Sequence, residues 1–250
     1  MNLDFPKKPT TTWVIRTKNE EKWIGRVLES LYMQSRLDFE VIIVDSGSTD
    51  NTLKIASKFP IRKIINLKQK DFSYGYALNI GIAEAWGDFI GIISAHSLPI
   101  SNSWYQNAFS NFADPNIAGV AGTYSSLPDS NYEEKLWDTH YHINRINKEN
   151  FYTGFTKENY FTKSSNTNFM LRKSLWDKYN FDETLTASED YDWCQEMMAR
   201  NYNIIYDPSF DVYHSHGGIG RPTILERFKE WDKNNEVVDS KIRPSISVKK

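Results

Sequence analysis

A single cysteine, Cys194, stands in a chain of 250 residues. That excludes a disulfide framework and any metal or cluster site built from several thiolates. No apolar run approaches the ~20 residues that a membrane-spanning helix needs, and the opening stretch MNLDFPKKPTTT has no apolar signal core. A soluble, cytoplasmic protein is expected. Excess charge is missing too: 30 Lys and Arg against 32 Asp and Glu leave a net −2, which argues against an electrostatic nucleic-acid binder. There is no GxGxxG after the first predicted strand and no GxxxxGK[ST] anywhere, so a dehydrogenase or a P-loop kinase loses its main support. Aromatic side chains, by contrast, are plentiful. The 14 Phe, 14 Tyr and 8 Trp rule out a disordered chain and can build a sizeable core with aromatic-walled pockets. The length suits one large α/β unit or two tightly joined halves.

The first third alternates strand and helix signals. Trp13-Val14-Ile15 reads as a short buried strand, and Ile24, Val27, Leu28 and Leu31 recur at helical spacing within Glu20–Gln34. Phe39–Val44 is a continuous, largely β-branched run of the kind covered on both faces. It stops at the turn Asp45-Ser46-Gly47-Ser48, after which Asp50 can cap a helix that buries Thr52, Ile55, Ala56 and Phe59. A third strand falls at Lys63–Leu67, then a helix with Tyr74, Ala77, Leu78, Gly81, Ile82 and Ala85 on one stripe, and a fourth strand at Phe89–Ile93. This order predicts a parallel, doubly wound sheet, with the strand ends after Ile15, Val44 and Ile93 along one ligand-binding edge. Further on, a helix is expected at Ser103–Phe112, strands at Ile117–Thr123, Asn168–Leu171, Asn203–Tyr206 and Val212–His216, and a helix at Glu189–Arg200. Ser130–Phe161 is polar, aromatic and irregular. Gly217–Gly220 is a joint before an amphipathic helix, Thr223–Val237, with Ile224, Phe228 and Trp231 on one side; its mixed charges suit a solvated face better than a membrane anchor.

The predicted edge collects Arg16-Thr17-Lys18-Asn19-Glu20, Asp45-Ser46 and Ser94-Ala95-His96. Together they suggest a binding crevice, although each alone can be an ordinary polar loop. Asp45 can accept from the imide N–H of a uracil or thymine, or it can cap its own turn. In Glu189–Arg200, Asp190 shares a face with Trp193, Cys194, Met197 and Met198, whereas Asp192 lines up with Gln195 and Glu196 toward water. A carboxylate on the buried face asks for a reason. It is either a general base directed into a cleft, or an acid in the first turn of a helix capped by Ser188. Alternation along Val212–His216 puts His214 and His216 on one side. His140 and His142, in the irregular stretch, carry no assignment.

The runs VIRTKNEEKWIGRVLESLYMQ, FEVIIVDSGSTDNT, DFSYGYALNIGIAEAWGDFIGIISAH and SEDYDWCQEMMARNYNIIYDPSFDVYHSH resemble family 2 glycosyltransferases with the GT-A fold, over roughly residues 12–216. The resemblance implies a Rossmann-like, mostly parallel sheet in a single GT-A domain: a nucleotide-sugar-binding half at 12–97, an acceptor-binding half at 98–216, and a hinge, helix and tail at 217–250. It implies inverting transfer of a sugar from a UDP, GDP or dTDP donor to a hydroxyl of a glycan or lipid-linked acceptor, as in surface polysaccharide synthesis, at the inner face of the membrane. Asp190 would deprotonate the acceptor and Glu189 orient it. Arg16, Asn19, Glu20, Asp45, Ser46, Asn79, Ser94, Ala95 and His96 would line the donor site, with Asp71 and the Gly75 turn closing over the base or sugar.

Two departures from the family pattern stand out. The family's Ala-Arg-Asn-x-Gly is here Ala77-Leu78-Asn79-Ile80-Gly81, without its arginine, and its Asp-x-Asp is Ser94-Ala95-His96. Ser94 keeps a hydroxyl for the sugar. His96 can still ligate a metal, joined by His214 or His216, and imidazole donors suit Mn²⁺ better than Mg²⁺. The same substitution keeps open a non-catalytic GT-A binding or scaffold subunit.

Overall fold

Thr11–Thr17 (β1) and Phe39–Asp45 (β2) are buried almost throughout, which only a strand covered on both faces permits. In the computed structural model, which describes residues 8–127, 165–214 and 233–243 with Ser130, Tyr132 and Lys135, these two are inner strands of one eight-stranded sheet. The remaining strands are Lys63–Asn66 (β3), Phe89–Ser94 (β4), Leu98–Pro99 (β5), Ile117–Ser126 (β6), Asn168–Arg172 (β7) and Asn203–His214 (β8), in the order β3-β2-β1-β4-β7-β6-β8-β5. β1 to β4 pair in parallel, as does β6 with β8. β7 runs antiparallel between β4 and β6, and β5 antiparallel on β8.

The helices cover both faces. Ile24–Tyr32 (α1) and Trp104–Ser110 (α4) pack on Trp13, Ile15, Val41 and Ile43. Tyr74–Ala83 (α3), Lys173–Trp176 (α5) and Glu189–Ala199 (α6) pack on Val14, Val44, Ile92, Phe169 and Leu171 on the other side. A short helix, Thr52–Ala56 (α2), follows β2. Pleating sends Trp13 to the first face and Val14 to the second. Trp13 stacks on Trp104 with ring centroids 4.7 Å apart. It also fills the space beside its β4 partner Gly91, where a Cβ would lie 2.2 Å from the indole.

Several expectations need correction. The first helix begins at Ile24 rather than Glu20, because the Glu20 carbonyl accepts from Trp23 and Ile24 in a preceding turn. Tyr74 belongs to α3 but is exposed, so the apolar stripe starts at Ala77. The two short strands at Asn203–Tyr206 and Val212–His216 are a single β8, whose pairing with β6 shifts register between Asp207 and Asp211. A bulge there absorbs Pro208, which has no N–H for a ladder. His140, His142, Gly217–Gly220, His216 and residues 223–232 lie outside the described residues; 233–240 are helical.

Candidate active site

The register aligns the edge. Arg16 pairs with Val44 on one side and Ser94 on the other, and Thr17 pairs with Asp45, so the carboxyl ends of β1, β2 and β4 meet at the point where strand order reverses. Because β7 is antiparallel, its beginning reaches the same place: the Ser94 N–H donates to Thr167 O at 3.1 Å.

The β2 end is a closed turn. Asp45 is 2 % exposed and accepts from the N–H groups of Gly47 and Ser48 at 3.0 and 2.9 Å and from the Ser48 hydroxyl. Ser46 donates its N–H and hydroxyl to Thr17 O. Asn19 adopts a left-handed backbone with φ 53°. Its side-chain oxygen accepts from Thr49 N–H at 2.8 Å, and its own N–H donates to Ser48 Oγ at 2.9 Å. These residues fasten the β1 and β2 loops to each other and give the crevice a rigid floor.

Glu20 links this floor to β4. Its Oε1 lies 2.9 Å from His96 Nδ1, and its N–H donates to Thr52 Oγ1 at 2.7 Å. A carboxylate only accepts, so Nδ1 is the donor of this pair, and Nε2 lies 3.2 Å from Ser94 Oγ. Ala95 between them is core, a correction to its place among donor contacts. The His96 ring stacks on His214, centroids 4.7 Å apart, and His214 Nδ1 lies 2.8 Å from Ser97 Oγ. A carboxylate behind a histidine is the usual way to fix a metal ligand's tautomer and orientation. Among the described residues no three His, Cys, Asp or Glu side chains form a cage of their own. The imidazoles of His96 and His214 are the nitrogen donors that these elements bring together at the edge.

α6 brings the acids. Glu189 is 4 % exposed, and its Oε1 receives Arg16 Nη1 at 3.2 Å and Asn166 Nδ2 at 3.0 Å. Arg16 also lies over the Tyr74 ring and donates to Tyr74 O, so it ties β1 to the starts of α3 and α6. Asp190 accepts from Asn166 N–H and Tyr191 N–H, both at 2.8 Å. Burial, reinforced by the Glu189 charge, pushes its carboxyl up to about 7 despite those donors and Arg16. Ser188 is no side-chain cap; it turns the chain into α6 with φ 67°. Asp192, expected in water, is covered by Lys241 and Arg243 at 2.9 and 2.5 Å.

Asn79 is also a correction. It is buried, donates to Phe181 O and Glu183 Oε1, and accepts from Trp176 Nε1 and Phe181 N–H. An amide with four bonds filled has nothing left for a donor; it clamps α3 to the 181–183 loop. Gly75 serves the same junction, since a Cβ there would sit 2.6 Å from Asp182 O. Asp71 is exposed at the end of a 3-10 turn, Gln69–Asp71. Sequence reasoning missed Asn166. Its signal is the polar run Ser164-Ser165-Asn166-Thr167-Asn168 leading into an apolar strand, which marks a strand end but not which edge it reaches.

A family model described as Glycosyl transferase family 2 matches residues 12–179. The O-antigen chain rhamnosyltransferase RfbN of Salmonella typhimurium is 26% identical over 225 residues, 87% of this chain and 70% of that protein. The dolichyl N-acetyl-alpha-D-glucosaminyl phosphate 3-beta-D-2,3-diacetamido-2,3-dideoxy-beta-D-glucuronosyltransferase of Methanococcus voltae is 31% identical over 131 residues, 47% of this chain and 40% of its own length. Among solved structures, the mannosyltransferase PcManGT of Pyrobaculum calidifontis, in complex with GDP-Man and Mn²⁺, superposes with a TM-score of 0.70 at 19% identity, covering 96% of this chain and 67% of that one. Staphylococcus aureus TarS 1-349 with UDP-GlcNAc gives 0.67 at 18% identity over 92% of this chain and 65% of that one. The sheet and its helices are those of a GT-A fold.

Proposed function

Because the chain belongs to glycosyl transferase family 2, we propose that it moves a sugar, with inversion, from a nucleoside-diphosphate donor to a hydroxyl of a glycan or lipid-linked glycan in surface polysaccharide synthesis. The observation that carries this reading is the unequal treatment of two adjacent carboxylates at the ligand edge. Glu189 is bound by a guanidinium and an amide, whereas Asp190 meets two backbone N–H groups and has its carboxyl raised to about 7. A carboxylate poised there suits a general base at neutral pH.

In this reading Asp190 takes the proton of the acceptor hydroxyl while that oxygen bonds to the anomeric carbon and the bond to the diphosphate breaks. Glu189, held by Arg16 and Asn166, orients the acceptor. Asp45 and Ser46 shape the base end of the crevice, Arg16 and Asn19 its floor, and Ser94 offers a hydroxyl to the sugar. Exposed Asp71 and Tyr74 line its rim. His96 and His214, with His216, are the residues that would hold a divalent ion, Mn²⁺ in preference to Mg²⁺. When bound, such an ion neutralises charge on the departing diphosphate. Most of the acceleration comes from positioning and from leaving-group stabilisation.

The test is binding of UDP, GDP and dTDP by titration calorimetry, with Mn²⁺ and then with EDTA, followed by transfer assays with the nucleotide sugar of whichever base binds. One diphosphate should bind with Mn²⁺, and His96→Ala should remove the metal dependence. EDTA-insensitive binding would strike the histidines from the metal site but leave the transferase. Failure of every nucleotide under both conditions would replace it with a non-catalytic role.

A further inference from the structure

Asn166, at the approach to β7, is 3 % exposed and touches both acids. Its backbone N–H donates to Asp190 Oδ2 at 2.8 Å. Its side-chain Nδ2 donates to Glu189 Oε1 at 3.0 Å, the oxygen that also receives Arg16 Nη1 at 3.2 Å. The side-chain oxygen of Asn166 is buried and has no hydrogen-bond partner among the described residues. A buried orphan acceptor is unfavourable and calls for an explanation. Packing does not supply one, since an apolar side chain would avoid the penalty. What the amide provides is its donor to Glu189.

Two neighbouring carboxylates in similar surroundings share a proton, and neither is then a dependable base. Unequal hydrogen bonding separates their roles. The charged groups acting on Asp190 are Glu189 from its own helix and Arg16 from β1. We infer that Asn166 is a positioning residue for the transfer: with Arg16 it occupies Glu189 Oε1 and holds that side chain in place, so that Asp190 is the carboxylate that receives the acceptor's proton. The inference rests on the reading of Asp190 as base and adds to it the residue that selects Asp190 over Glu189.

Two variants test it in the full chain. Asn166→Ala keeps the backbone N–H on Asp190 and removes only the donor to Glu189. Asn166→Asp keeps the shape and puts a third carboxylate in the amide's place. Carboxyl ¹³C NMR titration without any nucleotide reads the acid pair directly. The doubly ionised pair loses a bond that favours it, so the upper titration step should rise by about 1 pH unit in the Ala variant and further in the Asp variant. In transfer assays kcat should fall roughly 10- to 100-fold at neutral pH with donor Kd unchanged, the pattern of an interaction that matters at the chemical step. An unchanged titration in the Ala variant, or a lower Tm with kcat intact, would overturn the inference. Failure of the transferase reading shows separately, as absence of nucleotide binding by the unaltered protein, and the titration still decides whether Asn166 governs the pair.

Discussion

Desolvation of a half-buried carboxyl, with the Glu189 charge beside it, pushes Asp190 up to about 7, and the hydrogen bonds it accepts only partly offset this. A base must be ionised to act, so kcat should decline on the acid side of about 7, close to tenfold per pH unit, and level off above it. A rate profile from pH 5 to 9 checks this. Asp190→Asn should lower kcat by about 10²–10⁴-fold while donor binding persists. Asn79 answers to the opposite test. Asn79→Ala strands Trp176 Nε1 and the Phe181 backbone in the interior, which should cost about 2–4 kcal/mol in chemical denaturation and leave nucleotide affinity unchanged. The two residues also show what was legible in the sequence. Helical periodicity put Asp190 on the buried face of α6 with Trp193, Cys194 and Met197, but the acid buried with them is its neighbour Glu189, and Asp190 is half-buried. Asn79 sat in a family-like Asn-x-Gly and looked like a ligand, because every partner that occupies its amide lies about a hundred residues further on.

At the scale of elements, α6 is held from both sides. Its start is tied to β1 and β7, and its outer face is covered by residues 233–243. There Lys241 bridges Asp182 and Asp192, Arg243 binds Asp192, and Tyr191 donates to Asp239. Arg243→Ala should loosen this face, lowering stability by about 1–2 kcal/mol and raising hydrogen exchange in α6 more than in β1. The clamp should also weaken in acid. Burial opposes ionisation of Asp182, but bonds from Lys241 and Thr184 outweigh it and hold the carboxyl below its usual range. A depressed carboxylate adds stability above its unfolded pKa of ~3.9 and loses it as pH falls through the lower folded value. Melting curves at pH 7, 4 and 3 should therefore converge for Lys241→Ala and the unaltered protein, because Lys241 is the partner of Asp182. None of this cover was readable, since periodicity reports a helix's faces but not what arrives from fifty residues away. β8 was misread for a local reason: Asp207-Pro208 has the chemistry of a break, and only pairing with β6 on both sides of the bulge makes one strand of it.

For the whole molecule, the parallel half was legible because each strand there is a dense apolar run and each crossover is forced right-handed. The antiparallel insertion of β7 between β4 and β6 carries no such mark, and so the arrival of Asn166 at the ligand edge went unseen. The ends of β4 and β8 meet at the stacked His96 and His214. A ligand gripping both should stabilise the fold as a unit. Mn²⁺ with the preferred nucleoside diphosphate should raise Tm by several degrees, more than the sum of the two added singly, with Mg²⁺ less effective. The same long-range joins bear on how the protein is made. Arg16 meets Glu189 and Ser97 meets His214 only when segments more than a hundred residues apart have been synthesised. Some 95 residues separate the end of β4 from α6, about 5–20 s of translation at ~5–20 residues per second. A ribosome-bound chain thus exposes the loops after β1 and β2 well before α6 arrives, so on the proposed reading a stalled chain would offer a sugar donor a surface without its base.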